Sequence, residues 1–304
     1  MIHLPNKNFL DPPPSLQTVE TYEKIDQACI NSNGDLYKST DYRSEDVLNK
    51  LRAFSLHKNV LGLRDKPKCY YCESSSEEVA SLQVEHYRPK AKVVSQDTNG
   101  QFHKGYYWLG LEWSNLLLSC PKCNGRGAKG NRFPLHNHRN RATNHNPITR
   151  NPLLYNRHSC ISSNPPLSTE RPLLLNPEID RPERHLTFNT FGEMSGLSIE
   201  GNTSIDIYKL NRDPLKVNRE DMINDILDSI YIAIAANKLR RSIGDSFLAW
   251  LEGIFTKVVT INDPTKKYSL WGQFIIDNFE NCIIVRLPQD YHDIVRTAFS
   301  NIQN

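Results

Sequence analysis

The sequence predicts an α+β chain, with a segment of short strands closed by paired cysteines and flanked by helices. Three observations lead there. Four of the seven cysteines form two Cys-x-x-Cys pairs, Cys69/Cys72 and Cys120/Cys123, with 47 residues between the pairs. Apolar residues recur at three- and four-residue spacing in 44–61 and again in 214–258, the signature of amphipathic helix. Residues 172–212 break into short segments separated by turns, as strands do.

The elements follow in order. Residues 1–14 are Pro-rich and read as extended chain. The stretches 15–30 and 44–61 carry helical spacing, the second more clearly, in "EDVLNKLRAFSLHKNVL". Residues 136–172 are rich in Asn, Pro, Arg and His without periodicity and read as a long loop. "HLTFNTFGEMSGL" reads as a β-hairpin that bends near Gly192. In 214–258, Met222, Ile223, Ile226, Ile230, Ile232 and Ile234 are expected on one broad apolar face. Further helices are expected at "WGQFIIDNF" and "DYHDIVRTAF".

Composition bounds the function. A hydrophobic content of 38% and a charged content of 23% fit a folded, water-soluble chain. No apolar run approaches the roughly 20 residues that span a bilayer. The opening "MIHLPNKNFLDPPP" has neither a basic nor an apolar leader region, so a cytoplasmic location is expected. The net charge of +3 is small, but its distribution is uneven. Between Glu112 and Glu170 there is no acid, while Lys122, Arg126, Lys129, Arg132, Arg139, Arg141, Arg150 and Arg157 lie there. Such a field attracts a polyanion.

Two Cys-x-x-Cys knuckles suit a tetrahedral four-thiolate site for structural Zn²⁺. Lys68 and Lys122 beside them soften the thiolate charge. A redox dithiol needs one pair rather than two, and an iron–sulfur cluster remains the other option. Four filled positions leave no place for substrate, so this metal holds the fold.

Inside the cysteine-closed segment, "LQVEHYRPK" sets Glu85 beside His86. Asn115 lies in "EWSNLLLSC", and Asn124 directly follows the last cysteine in "CPKCNGRGAKG". In this order of residues the sequence resembles the HNH (ββα-metal) endonucleases in their cysteine-bearing form. The resemblance implies that His86 is the general base of phosphodiester hydrolysis. It implies that Glu85 and Asn124 hold one catalytic divalent cation, Mg²⁺ or Mn²⁺, through oxygen donors. Asn115 is implied to bond backbone groups across the loop and so orient the base. Arg88, Lys90, Arg126 and Lys129 flank these positions and are expected to touch nucleic-acid phosphates. Two departures stand out: Glu85 is longer than the more common Asp or His, and an insertion around 97–104 lengthens the hairpin.

Longer strings narrow the likeness. "KCYYCE", "VEHYRPK", "GYYWLGLEWSNLLLSCPKCN" and "KGNRFPL" resemble the PtuB-like HNH nucleases of Septu-type and retron-associated anti-phage systems. "LLLNPEIDRPERHLTF" and "GNTSIDIYKLNR" extend the likeness, which spans about residues 67–215. It implies a defence effector acting with an ABC/SMC-type ATPase, in some systems with a reverse transcriptase and its non-coding RNA. DNA is the favoured substrate and RNA the alternative. A zinc-stabilised binding subunit without catalysis is the competing reading. Four regions are expected: 1–60, an N-terminal helical extension; 61–140, the HNH core; 141–212, a basic loop with short strands; and 213–304, a helical C-terminal region.

Overall fold

The structure, a computed structural model, describes residues 1–4, 7–54, 56–57, 66–75, 81–94, 102–143, 157–240 and 245–303. The chain divides into two compact units, 1–186 with 196–210, and 187–195 with 211–304.

In the first unit, α1 (Val19–Asn31) begins at Thr18, whose hydroxyl accepts from the Thr21 amide and so satisfies an otherwise free donor of the first turn. The short α2 (Ser39–Tyr42) and α3 (Glu45–Phe54) follow. The helix expected over 44–61 therefore stops at Phe54, and its last residues lie largely outside the described ones. Two short strands, β1 (Leu56–His57) and β2 (Lys66–Pro67), pair antiparallel. The central element is β3 (Gln83–His86) against β4 (Leu116–Ser119), in register Gln83↔Ser119 through His86↔Leu116. Every residue of β4 is buried, as its unbroken Leu116–Leu118 run requires. Next comes α4 (Pro121–Asn124), with Pro121 in the first turn, where a missing N–H costs nothing. Strand, strand and short helix thus stand next to one another around the second cysteine pair.

Side chains of the N-terminal segment bond into the rest of the first unit. Tyr37 Oη donates to the Tyr107 carbonyl at 2.7 Å, and Tyr70 Oη to that of Leu51 at 2.9 Å. Lys7 Nζ donates to the Leu116 carbonyl at 2.5 Å, directly onto β4, and ion-pairs with buried Glu178. These tertiary bonds join positions far apart in sequence, where spacing gives no sign of them.

The 136–172 stretch is likewise built in where it is described. Glu112 and Glu170, the two acids that bound the acid-free run, are both fully buried. Glu112 receives Arg157 at 2.6 Å, and Glu170 receives Arg88 at 2.7 Å. Arg141 donates to Tyr106 Oη and the Phe133 carbonyl. Part of the basic field is therefore neutralised inside the fold. Arg150 and His145 lie outside the described residues.

The hairpin expected near Gly192 is present as β5 (Leu186–Phe188) and β6 (Met194–Gly196). Gly192 has φ +79°, and a Cβ there would lie 2.6 Å from that of Arg219, so only glycine fits. Helix α5 (Ile199–Ile207) belongs to the first unit. Within the second unit, α6 (Asp213–Arg240) and α7 (Asp245–Val258) precede α8 (Ser269–Asp277), α9 (Phe279–Cys282) and α10 (His292–Gln303). Ile223, Ile226, Ile230 and Ile234 of α6 are buried as expected, but Ile232 is exposed. It lies two residues from both Ile230 and Ile234, on the opposite side of a helix that advances 3.6 residues per turn. Stacked Phe279 and Phe299, with Phe255 edge-on, fill the core of this unit. No described helix is long and apolar enough to cross a membrane.

Candidate active site and metal centre

Cys69, Cys72, Cys120 and Cys123 are all buried, and their Sγ atoms lie within 4.8 Å of one another. Zinc–sulfur bonds of about 2.3 Å in a tetrahedron put sulfurs about 3.8 Å apart. Cys72 and Cys120 Sγ stand at 3.8 Å. So close a set has room for one ion but not for a cluster of several irons with bridging sulfides. The surroundings suit thiolates: the Cys120 amide donates to Cys69 Sγ at 3.3 Å, and Ser74 Oγ lies 2.9 Å from Cys72 Sγ. Burial pushes the Cys69 and Cys123 thiols well up. Metal binding must therefore displace their protons. Among the described residues no other group of three or more His, Cys, Asp or Glu side chains closes in this way.

β3 ends on Glu85 and His86, and α4 ends on Asn124. All three line one cleft of about 390 Å³. His86 Nε2 lies 2.9 Å from the Gly110 carbonyl. A carbonyl oxygen only accepts, so Nε2 carries the proton and Nδ1 is left as the basic nitrogen. Burial pushes His86 down to about 3, with Lys90, Lys129 and Arg43 adding to the effect. The ring is therefore neutral at pH 7. Tyr42 packs edge-on against it at 4.7 Å.

Asn115, with no exposed surface, fastens the loop that follows His86. Its Oδ1 accepts from the Arg88 amide at 2.8 Å, and its Nδ2 donates to the carbonyls of Arg88 and Leu109 at 3.0 and 3.1 Å. Asn115→Ala is expected to destabilise the protein by about 1–3 kcal/mol for each buried group left unpaired. The shift of the urea unfolding midpoint measures it.

The four expected phosphate contacts divide. Arg126 is exposed on the cleft, and Lys90 lines it half-buried, donating to the Gly34 carbonyl at 2.9 Å. Arg88 and Lys129 are corrected. Arg88 is fully buried on Glu170, the Leu167 carbonyl and Ser162. Lys129 is fully buried as well, ion-paired with Glu85 Oε1 and donating to the His86 carbonyl at 2.8 Å. Both cations therefore shape the cleft from behind rather than reach into it. Burial pushes the Glu85 carboxyl up, and Lys129 opposes that shift. Removing one partner of a buried pair strands the other charge. Lys129→Ala is accordingly expected to cost about 3–5 kcal/mol of stability, read from chemical denaturation.

Trp108 and Trp113 are buried in the core and offer no face to a base. His136 pairs with Glu200 at 2.6 Å and joins no metal-binding group. The sequence reading missed Tyr42, Arg43 and Asp35, which form another wall of the cleft. They stand in no motif, and only the fold brings them there.

No protein-family model matches the chain, and no solved structure matches it. Curated relatives do. Septu protein PtuB of Bacillus mycoides (strain KBAB4) is 36% identical over 171 residues, 56% of this chain and 51% of that protein. Septu protein PtuA of the same strain is 30% identical over 167 residues, 54% of this chain and 20% of that one. Septu protein PtuB of Bacillus thuringiensis is 26% identical over 146 residues, 48% and 37% of the two chains. The chain thus spans about half the length of the first relative and less of the other two.

Proposed function

We propose that this chain is a metal-dependent HNH endonuclease serving anti-phage defence. The observation that carries the proposal is the convergence of Glu85, His86 and Asn124 on one cleft beside the four-cysteine centre. Likeness to Septu proteins PtuB and PtuA supports the defence role. An ABC/SMC-type ATPase is the partner that this role implies, and DNA is the favoured substrate.

The chemistry follows from the residues. His86 Nδ1 takes a proton from water, whose oxygen attacks phosphorus while the bond to the leaving oxygen breaks. The Gly110 carbonyl fixes the tautomer that makes this possible. Asn115 holds the loop behind the ring, as a base that must stay in line with the reacting bond requires. Glu85 and Asn124 offer the oxygen donors that Mg²⁺ or Mn²⁺ takes, and one Glu85 oxygen is shared with Lys129. A divalent cation held there would stabilise the negative charge that develops on the phosphoryl and leaving oxygens. Arg43, Lys90 and Arg126 line the cleft and would meet backbone phosphates.

The test is cleavage by purified protein with added Mg²⁺ or Mn²⁺, wild type against His86→Ala, alone and with its neighbouring gene product. An adjacent ATPase gene supports the defence assignment, and its absence argues against that part.

A further inference from the structure

We infer that the cleft continues into a subsite for one unpaired nucleotide, so that the substrate runs through it as a single strand. This rests on the nuclease reading above and adds the form of the substrate. A second cavity of about 440 Å³ shares two walls, Asp35 and Ala91, with the cleft that holds His86. Its outer walls carry Lys92, Phe102 and Lys104.

The local backbone explains why these three side chains stand together. The Val93 amide donates to the His103 carbonyl at 2.9 Å, which brings the two segments together at that point, while that of Val94 donates to the Asn131 carbonyl at 3.1 Å. Burial alternates along both: Lys92 and Val94 are exposed around buried Val93, and Phe102 and Lys104 are exposed around half-buried His103. Such alternation puts every second side chain on one face. Gly105, at φ +100°, lets the chain pass close to Ala91, since a Cβ there would lie 2.2 Å from the Ala91 carbonyl oxygen.

Phe102 keeps 40% of its surface exposed, and the Lys92 ammonium lies over one face of its ring, 3.7 Å from the centroid. An aromatic face beside two flexible ammonium groups matches what single strands need: a base stacks on the ring while lysines hold the phosphates. Stacking of this kind requires a base whose faces are not already covered in a duplex. The joined cavities present five cationic side chains, Arg43, Lys90, Lys92, Lys104 and Arg126, against two carboxylates, Asp35 and Glu85. Summed over the two cavities, the lining from His86 to Phe102 is therefore net positive.

The experiment uses the full chain carrying His86→Ala, so that nothing is cut during the measurement. Binding of a fluorescein-labelled single-stranded oligonucleotide and of its duplex is followed by anisotropy at fixed salt. The single strand is expected to bind more tightly. Phe102→Ala should weaken that binding about 5- to 100-fold, the range one stacked base supplies, and Phe102→Tyr should preserve it. The Lys92→Ala/Lys104→Ala double variant should lower the slope of log affinity against log salt by about 1.4. Zinc content and melting temperature confirm that each variant is folded. Tighter duplex binding, no binding of either form, or unchanged single-strand affinity in Phe102→Ala overturns the subsite. Separately, cleavage that persists in His86→Ala sinks the nuclease reading without touching these binding results.

Discussion

Replacing Cys123 by serine is expected to unfold the first compact unit. Structural zinc contributes about 10–16 kcal/mol of apparent binding free energy in small zinc domains at neutral pH. Net stabilities of whole proteins are only about 5–15 kcal/mol. Without the ion, four buried thiols would surround an empty centre. The knuckles would then no longer hold the two ends of the β3–β4 pair together. Circular dichroism and metal analysis should show loss of structure together with loss of zinc. A strong chelator should do the same to the wild type. Cys29, Cys160 and Cys282 are buried outside the cluster and provide the contrast. Serine at those positions should leave zinc content unchanged, because they touch no shared ion.

His86→Ala is the second large effect, and it is of the opposite kind. Loss of a positioned general base lowers rate by about 10²–10⁴-fold. The structural cost is small by comparison. His86 contributes one hydrogen bond, to the Gly110 carbonyl, and an edge contact to Tyr42. Leaving that carbonyl without a partner costs about 1–3 kcal/mol, within what a stable domain tolerates. Zinc content should be unchanged, because no cysteine is disturbed. The Lys129→Ala variant should show the reverse balance, with stability falling first, since its amine serves Glu85 and the His86 carbonyl rather than solvent.

What was legible in the sequence was whatever depends on spacing alone. Two cysteine pairs at two-residue spacing announce a metal wherever the chain between them runs. The helices of the second unit follow from their periodicity. Charge proved harder to read, because sequence records the sign of a side chain but not its partner. Arg88 and Lys129 look like phosphate contacts beside His86 until Glu170 and Glu85 are seen to hold them. Those partners lie 82 and 44 residues away in the chain. Tyr42 and Arg43 reach the cleft only because the N-terminal helices pack on the cysteine-closed segment. No local pattern encodes that packing. Asn115 fell between the two cases: its place in the motif was visible, but its three backbone bonds needed the fold.

Hydrolysis of phosphodiester bonds in the cleft of Glu85, His86 and Asn124 is the activity we propose. Single-stranded DNA, plasmid DNA and total RNA are followed side by side, with Mn²⁺ or Mg²⁺, using zinc-replete wild type and His86→Ala together with the co-purified partner. Metal-dependent cutting is expected from the wild type, with at least a hundredfold loss, about the lower bound for a general base, in a variant that is folded and fully zinc-loaded. Cleavage at the wild-type rate by that folded, zinc-loaded variant would contradict it.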